Sequence, residues 1–164
     1  MDKSATIIML GLVVIITLPF LIIYIIKKRK DIKFLSHFTN LAQKEKIMIS
    51  QKEFWNHSYA IGIDNNSKKI IYANRLKDET TGTIIDLADI EKCRIVTINK
   101  SIKNQNGKNP KTDRLELVFT YRNPAIPEKV LNFYENAEFM PNADECSHIE
   151  NWYRIINSNL KQGI

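Results

Sequence analysis

Cysteine, histidine and glycine are all scarce in this chain, and each shortage closes off a class of chemistry. The 164 residues contain only two cysteines, Cys93 and Cys146, and neither belongs to a C-x-x-C pair. That excludes a disulfide scaffold and a cysteine-built zinc site. The three histidines, His37, His57 and His148, stand far apart. Cys146-Ser147-His148 is the one local Cys/His grouping, and it lacks two further ligands at a recognisable spacing, so it reads as a packed thiol beside a surface or partly buried imidazole. Five glycines build neither a phosphate-binding loop nor a dinucleotide turn, and no zincin helix occurs. No catalytic, cofactor-binding or metal residue is therefore assigned, no cofactor is expected, and an enzyme is not expected; the one route left to catalysis is a site assembled from residues far apart in sequence. Asp86, Asp89 and Glu91 straddle a strand entrance where a divalent cation could be imagined, but they read as turn caps in water.

Acidic residues are in slight deficit, giving a net charge of +6. The excess is concentrated at one place. Setting aside Asp2, Lys3 and Lys27-Lys28-Arg29-Lys30 leaves 19 bases against 17 acids in residues 31–164, a balance of +2. A nucleic-acid partner is not expected from so nearly neutral a domain.

What the chain has in abundance is one apolar run, Ala5 to Ile26, which ends directly in Lys27, Lys28, Arg29 and Lys30. As a helix its 22 residues reach roughly 33 Å, enough for a hydrocarbon core of about 30 Å. A cleaved signal is disfavoured, because Met1-Asp2-Lys3-Ser4 is nearly balanced and the run ends in Tyr24-Ile25-Ile26 with no small-x-small site. Cations immediately after an apolar span belong on the cytoplasmic side. The expectation is a single-pass protein of the cell (inner) membrane with its N-terminus outside and residues 31–164 in the cytoplasm. The lipid bilayer is then a partner through residues 5–26. Pro19 reads as a tolerated membrane proline, and Ser4, Ala5 and Gly11 form no G-x-x-x-G face. The sequons at Asn56, Asn65 and Asn99 would go unused in a cytoplasmic domain. Abundant Ile, Asn and Lys, with Lys far outnumbering Arg, match AT-rich coding and hint at a low-GC bacterium.

Three segments follow: residues 1–30 as anchor with its basic flank, 31–45 as a juxtamembrane amphipathic helix, and 46–164 as one domain. Ile32, Phe34, Leu35, Phe38, Leu41 and Ala42 recur at helical spacing, and their polar counterparts are too poor in cations for an interfacial helix, so this segment is expected to pack on the domain. Alternation then replaces the helical period. Strands are expected over Lys46–Trp55, Ser58–Asp64, Lys69–Asn74, Thr83–Leu87, Lys92–Asn99, Arg114–Arg122 and Lys129–Glu135, six or seven in all. Ile149, Trp152, Tyr153, Ile156 and Leu160 form the stripe of a terminal amphipathic helix, with Asn142 and Glu145 as its capping pair and Gly163 as its stop.

This α+β arrangement resembles the bacterial pleckstrin-homology-like domain, a six- or seven-stranded antiparallel barrel or sandwich capped by a C-terminal helix. The resemblance covers about Lys46 to Leu160. It rests on the hairpin Tyr59–Asp64 to Lys69–Ala73, the I-x-L-x-x-I run of Ile85, Leu87 and Ile90 leading into Cys93–Val96, and the helix around Trp152. It implies a non-catalytic interaction module that binds another protein or the membrane surface. In relatives of that fold the first hairpin loop grips phosphorylated head groups; here that turn offers Lys68 and Lys69 without an arginine for bidentate contact. A second basic segment, Lys100 to Asp113, carries Lys100, Lys103, Lys108 and Lys111 and reads as a long polar loop with the turn dipeptides Asn106-Gly107 and Asn109-Pro110. These six lysines are the candidate anionic-surface residues. The alternative function is a structural subunit of a membrane complex whose apolar span makes the key contacts.

Overall fold

The computed structural model describes residues 3–76, 79–104, 107–135 and 143–161, with side chains described for 9, 12–76, 79–99, 114–135 and 146–160. The capping residue Asn142 and the stop at Gly163 lie outside the described residues, as does Asn106. The chain is α+β: a helix α1 (Lys3–Lys44), strands β1 (Gln51–Trp55), β2 (Tyr59–Asp64), β3 (Lys69–Leu76) and β4 (Glu79–Asp86), then a 3₁₀ turn (Leu87–Asp89). Strands β5 (Ile90–Asn104), β6 (Gly107–Tyr121) and β7 (Lys129–Glu135) and helix α2 (Ala143–Lys161) complete it. The strands make two antiparallel sheets, β1-β2-β3-β4 and β5-β6-β7. No strand pairing joins the two sheets among the described residues, so the arrangement is an open sandwich and the barrel form of the expectation is corrected.

The segments expected as an anchor and a separate juxtamembrane helix form one continuous helix that runs through Pro19 without a break. Its last turns dock on the four-stranded sheet. Phe34, Phe38 and Ala42, four residues apart, are buried against Ala60, Ile71 and Ala73. Those sheet positions are small for a reason: a Cβ on Gly62 would stand 3.2 Å from the Phe38 ring and 3.1 Å from Ile49, and one on Gly82 would meet Leu41 at 2.4 Å. The helix can lie this close only because side chains are missing beneath it. Lys46, in the left-handed region at φ 54°, ends α1: its N–H donates to Gln43 O at 3.1 Å and the Ile47 N–H to Ala42 O at 2.9 Å. That pair of bonds is a Schellman closure, sealed by Ile47 packing into the same cluster as Ala42. The front strand is consequently shorter than its expected span from Lys46.

The inner face of each sheet carries the alternate residues. Ile61, Ile63, Ile70 and Ile85 from the first sheet meet Leu117, Phe119, Leu131 and Phe133 from the second, and Ile149, Trp152 and Ile156 of α2 close the gap between them. Because α1 covers the outer face of β2 and β3, those strands are buried on both sides.

Asp64 ties the β2–β3 turn together. Its carboxylate accepts from the Met48 N–H at 3.0 Å, the Asn66 N–H at 2.9 Å, the Ser67 N–H at 3.2 Å and the Ser67 hydroxyl at 2.8 Å. Burial pushes its pKa up, but these four donors outweigh burial and hold it below the usual 3.8. A carboxyl whose folded pKa lies under its unfolded value stabilises the fold above about pH 4, and that contribution is lost as pH falls through the depressed folded value. Asp64→Asn should therefore cost about 1–3 kcal/mol at pH 7. Thermal unfolding of the purified protein at pH 7 and pH 3 checks this: the gap between the two proteins should narrow in acid, and a gap that widened there would contradict the linkage.

Candidate functional site

The described surface holds three places where chemistry-bearing side chains converge. The first lies on α1 immediately after the basic cluster. Asp31 reaches Arg75 Nη2 of β3 at 3.0 Å and His57 Nδ1 of the β1–β2 turn at 3.0 Å. Arg75 also lies over the Phe34 ring at 5.4 Å and donates to the His57 carbonyl. Burial would raise the Asp31 pKa, yet the Arg75 and His57 bonds leave it below the ordinary range. Both Asn56 and His57 adopt left-handed backbone, at φ 49° and 52°, which turns the His57 side chain back toward the helix. Beside this clamp lies a groove of about 290 Å³ walled mainly by Phe34, Leu35, Phe54, Trp55 and Tyr59. It joins helix to domain and offers one carboxylate that is already paired.

The second place is where α2 meets β1. Glu53 accepts from His148 Nδ1 through one oxygen and from Trp152 Nε1 through the other. Trp55 stacks on His148 at 5.8 Å, on Tyr59 at 5.4 Å and on Phe133 at 4.8 Å, and its own N–H donates to Phe133 O at 3.0 Å. A carboxylate-held imidazole is the orienting half of a nucleophilic triad, but among the described residues no Ser or Cys side chain hydrogen-bonds His148. Cys93 is buried, and burial pushes its thiol up to about 12, which removes it as a nucleophile at neutral pH. Cys146 is also a free thiol. The Glu53 arrangement satisfies buried polar groups and aligns α2 on the sandwich.

The third place is the basic residues, which the structure separates. Lys27, Lys28, Arg29 and Lys30 are all exposed on α1. Lys68, left-handed at φ 55°, donates its ammonium to Asn159 Oδ1 of α2 at 2.8 Å, so the first hairpin turn is tied to the far end of α2. Lys69 is half-buried at the start of β3. The segment expected as a polar loop is a correction: Lys100 and Lys103 lie on β5, and Lys108 and Lys111 on β6, in one continuous ladder. Asn109 and Pro110, read as a turn, stand opposite Ile102 and Ser101. Among the described residues β7 pairs with β6 only from Arg114 onward, and an edge position tolerates a proline. Asp86 caps the 3₁₀ turn, accepting from the Ala88 N–H at 3.0 Å. No group of three His, Cys, Asp or Glu suited to a metal occurs among the described residues.

Sequence reasoning missed the Asp31–Arg75–His57 clamp and the Glu53–His148–Trp152 bridge, since each joins residues distant in the chain. One signal was present: the small residues Ala60, Gly62, Ala73 and Gly82 on alternating strand positions mark a face that a helix can approach. No protein-family profile, curated protein or solved structure matches the chain.

Proposed function

We propose that the chain is a membrane-anchored protein whose antiparallel domain is a non-catalytic interaction module on the cytoplasmic face, built on a pleckstrin-homology-like plan. Among the described residues no helix is long and apolar enough to cross a membrane. The part of the run with described side chains, Leu12 to Ile26, would rise about 22 Å as a helix, and the sequence continues the run back to Ala5. The observation that carries the reading is the exposure of that part. Every large apolar side chain from Leu12 to Ile26 is between 41% and 71% exposed, around the whole helix and not along one stripe. A fold that buries Phe34 and Phe38 in the same helix so completely leaves this stretch to another apolar phase. The arrangement of four strands, three strands and a C-terminal helix supports the pleckstrin-homology-like plan.

Alkaline carbonate extraction of cells expressing the intact protein tests the anchor, and a C-terminal reporter active only in the cytoplasm tests its direction. The protein should stay in the membrane pellet with the reporter active. Release into the supernatant would overturn the anchor, and an inactive reporter would reverse the topology. Exchanging residues 5–26 for an unrelated transmembrane helix separates the module from a complex subunit that works through its span: the module keeps its function and the subunit loses it.

A further inference from the structure

The strands β5 and β6 outrun the rest of their sheet. The β6–β7 ladder stops at Arg114 opposite Glu135, while β5 and β6 stay paired from Asn99 and Thr112 to Asn104 and Gly107. A register shift between Ile98 and Asn99 sets the bulge at its base, the usual device for re-aiming a strand pair. Among the described residues the result is a two-stranded ribbon.

Between Asn99 and Thr112 the sequence has four lysines and no acid. The register sets Lys100 opposite Lys111 and Lys103 opposite Lys108. Like charges directly opposite each other weaken a strand pair, so a ribbon of this register gains from polyanionic surroundings.

Contacts along the domain show where the ribbon leads. At one end the Leu87 N–H donates to Lys68 O and the Arg122 N–H to Asp89 O, so β5 sets out beside the β2–β3 turn. At the other end Trp55, next to the β1–β2 turn, bonds Phe133 O of β7, and His57 of that same turn holds Asp31. Asp31 directly follows Lys30. The ribbon therefore continues past the level of Trp55, toward the end of the domain where the uncovered part of α1 departs.

We propose that this ribbon is a contact arm for the anionic lipid head groups of the membrane that holds α1. The inference rests on the anchored reading and specifies the surface the module meets. It also assigns the contact to a place other than the first hairpin turn, whose Lys68 is engaged with Asn159. Attraction of each lysine to an anionic leaflet is worth about a fivefold gain in association, too weak per residue to recruit a free protein but sufficient to hold an arm already tethered beside the surface.

The test is lysine acylation, read by mass spectrometry, on the intact protein in nanodiscs of phosphatidylcholine alone or mixed with phosphatidylglycerol. With the anionic lipid, Lys100, Lys103, Lys108 and Lys111 should react about fivefold more slowly at low salt, while Lys69 reacts equally in both discs. Raising salt from about 0.1 M to about 1 M shortens the screening length from roughly 10 Å to 3 Å and should restore reactivity. Equal reactivity of the four lysines in both discs would overturn the proposal. So would protection by added single-stranded DNA in neutral discs with none from anionic lipid, which would give the arm to nucleic acid. A protein that does not enter the discs at all overturns the anchor and the arm with it, whereas entry without protection of the four lysines overturns the arm alone.

Discussion

Trp152→Ala is expected to cost about 3–5 kcal/mol, a large share of the roughly 5–15 kcal/mol available to a domain. Trp152 is 1% exposed and sits with Ile149 and Ile156 between the inner faces of both sheets. Truncation opens a cavity that rigid strands on two sides cannot collapse to fill. It also removes a donor from Glu53, leaving that carboxylate with His148 as its remaining side-chain donor. Because α2 is the element that closes the sandwich, the loss should be global: one cooperative transition shifted to lower temperature in circular dichroism of the solubilised protein. Trp152→Phe should recover most of the volume and only part of the stability. If Trp152→Ala moved the midpoint no more than a surface change such as Glu150→Ala does, α2 would not be the lid described here.

Phe38→Asp should act differently, by detaching one element and sparing the rest. Phe38 is 1% exposed, lies over Gly62 and meets Phe54 edge-on at 5.4 Å. The substitution forfeits the burial of a phenylalanine, about 3–5 kcal/mol, and would also desolvate a carboxylate with no partner in that pocket. Release of the helix from the sheet is the cheaper outcome. Hydrogen exchange should then show lost protection over residues 31–44 and the outer backbone of β2 and β3, with the β6–β7 ladder still protected. Leu35→Asp, at a position 39% exposed, should leave exchange unchanged. Uniform loss of protection in Phe38→Asp would mean that α1 belongs to the cooperative core and is not a separately docked element.

Each observed strand overlaps an expected one, but β5 ends at Asn104 where Asn99 was expected, β6 begins at Gly107 where Arg114 was expected, and the two helical segments expected before Lys46 are one helix, Lys3–Lys44. Leu115, Leu117 and Phe119 do point into the core, because an inward face requires period two whatever lies opposite. Burial at Glu116 was not legible in the alternation: it is 7% exposed although it lies on the face opposite Leu115 and Leu117, because β6 is the central strand of its sheet. The stretch from Lys100 to Asp113 misled for a related reason. Its lysines and turn dipeptides are loop composition, yet pairing with a partner strand makes a ladder from backbone groups that composition does not report.

The sequence by itself determined the apolar run and its basic stop, the order of the elements and which residues face inward, since all of these are local in origin: period, length and charge along the chain. Only the tertiary structure decided that the helix carrying the apolar run continues unbroken to Lys44 and docks over Gly62, that Glu53 bridges His148 to Trp152, and that Lys68 is tied to α2 while four other lysines share a ribbon. Those are contacts between residues tens of positions apart, fixed when two sheets and two helices pack. Such packing chooses partners by shape and by the need to satisfy buried polar groups, and neither is written in any one segment.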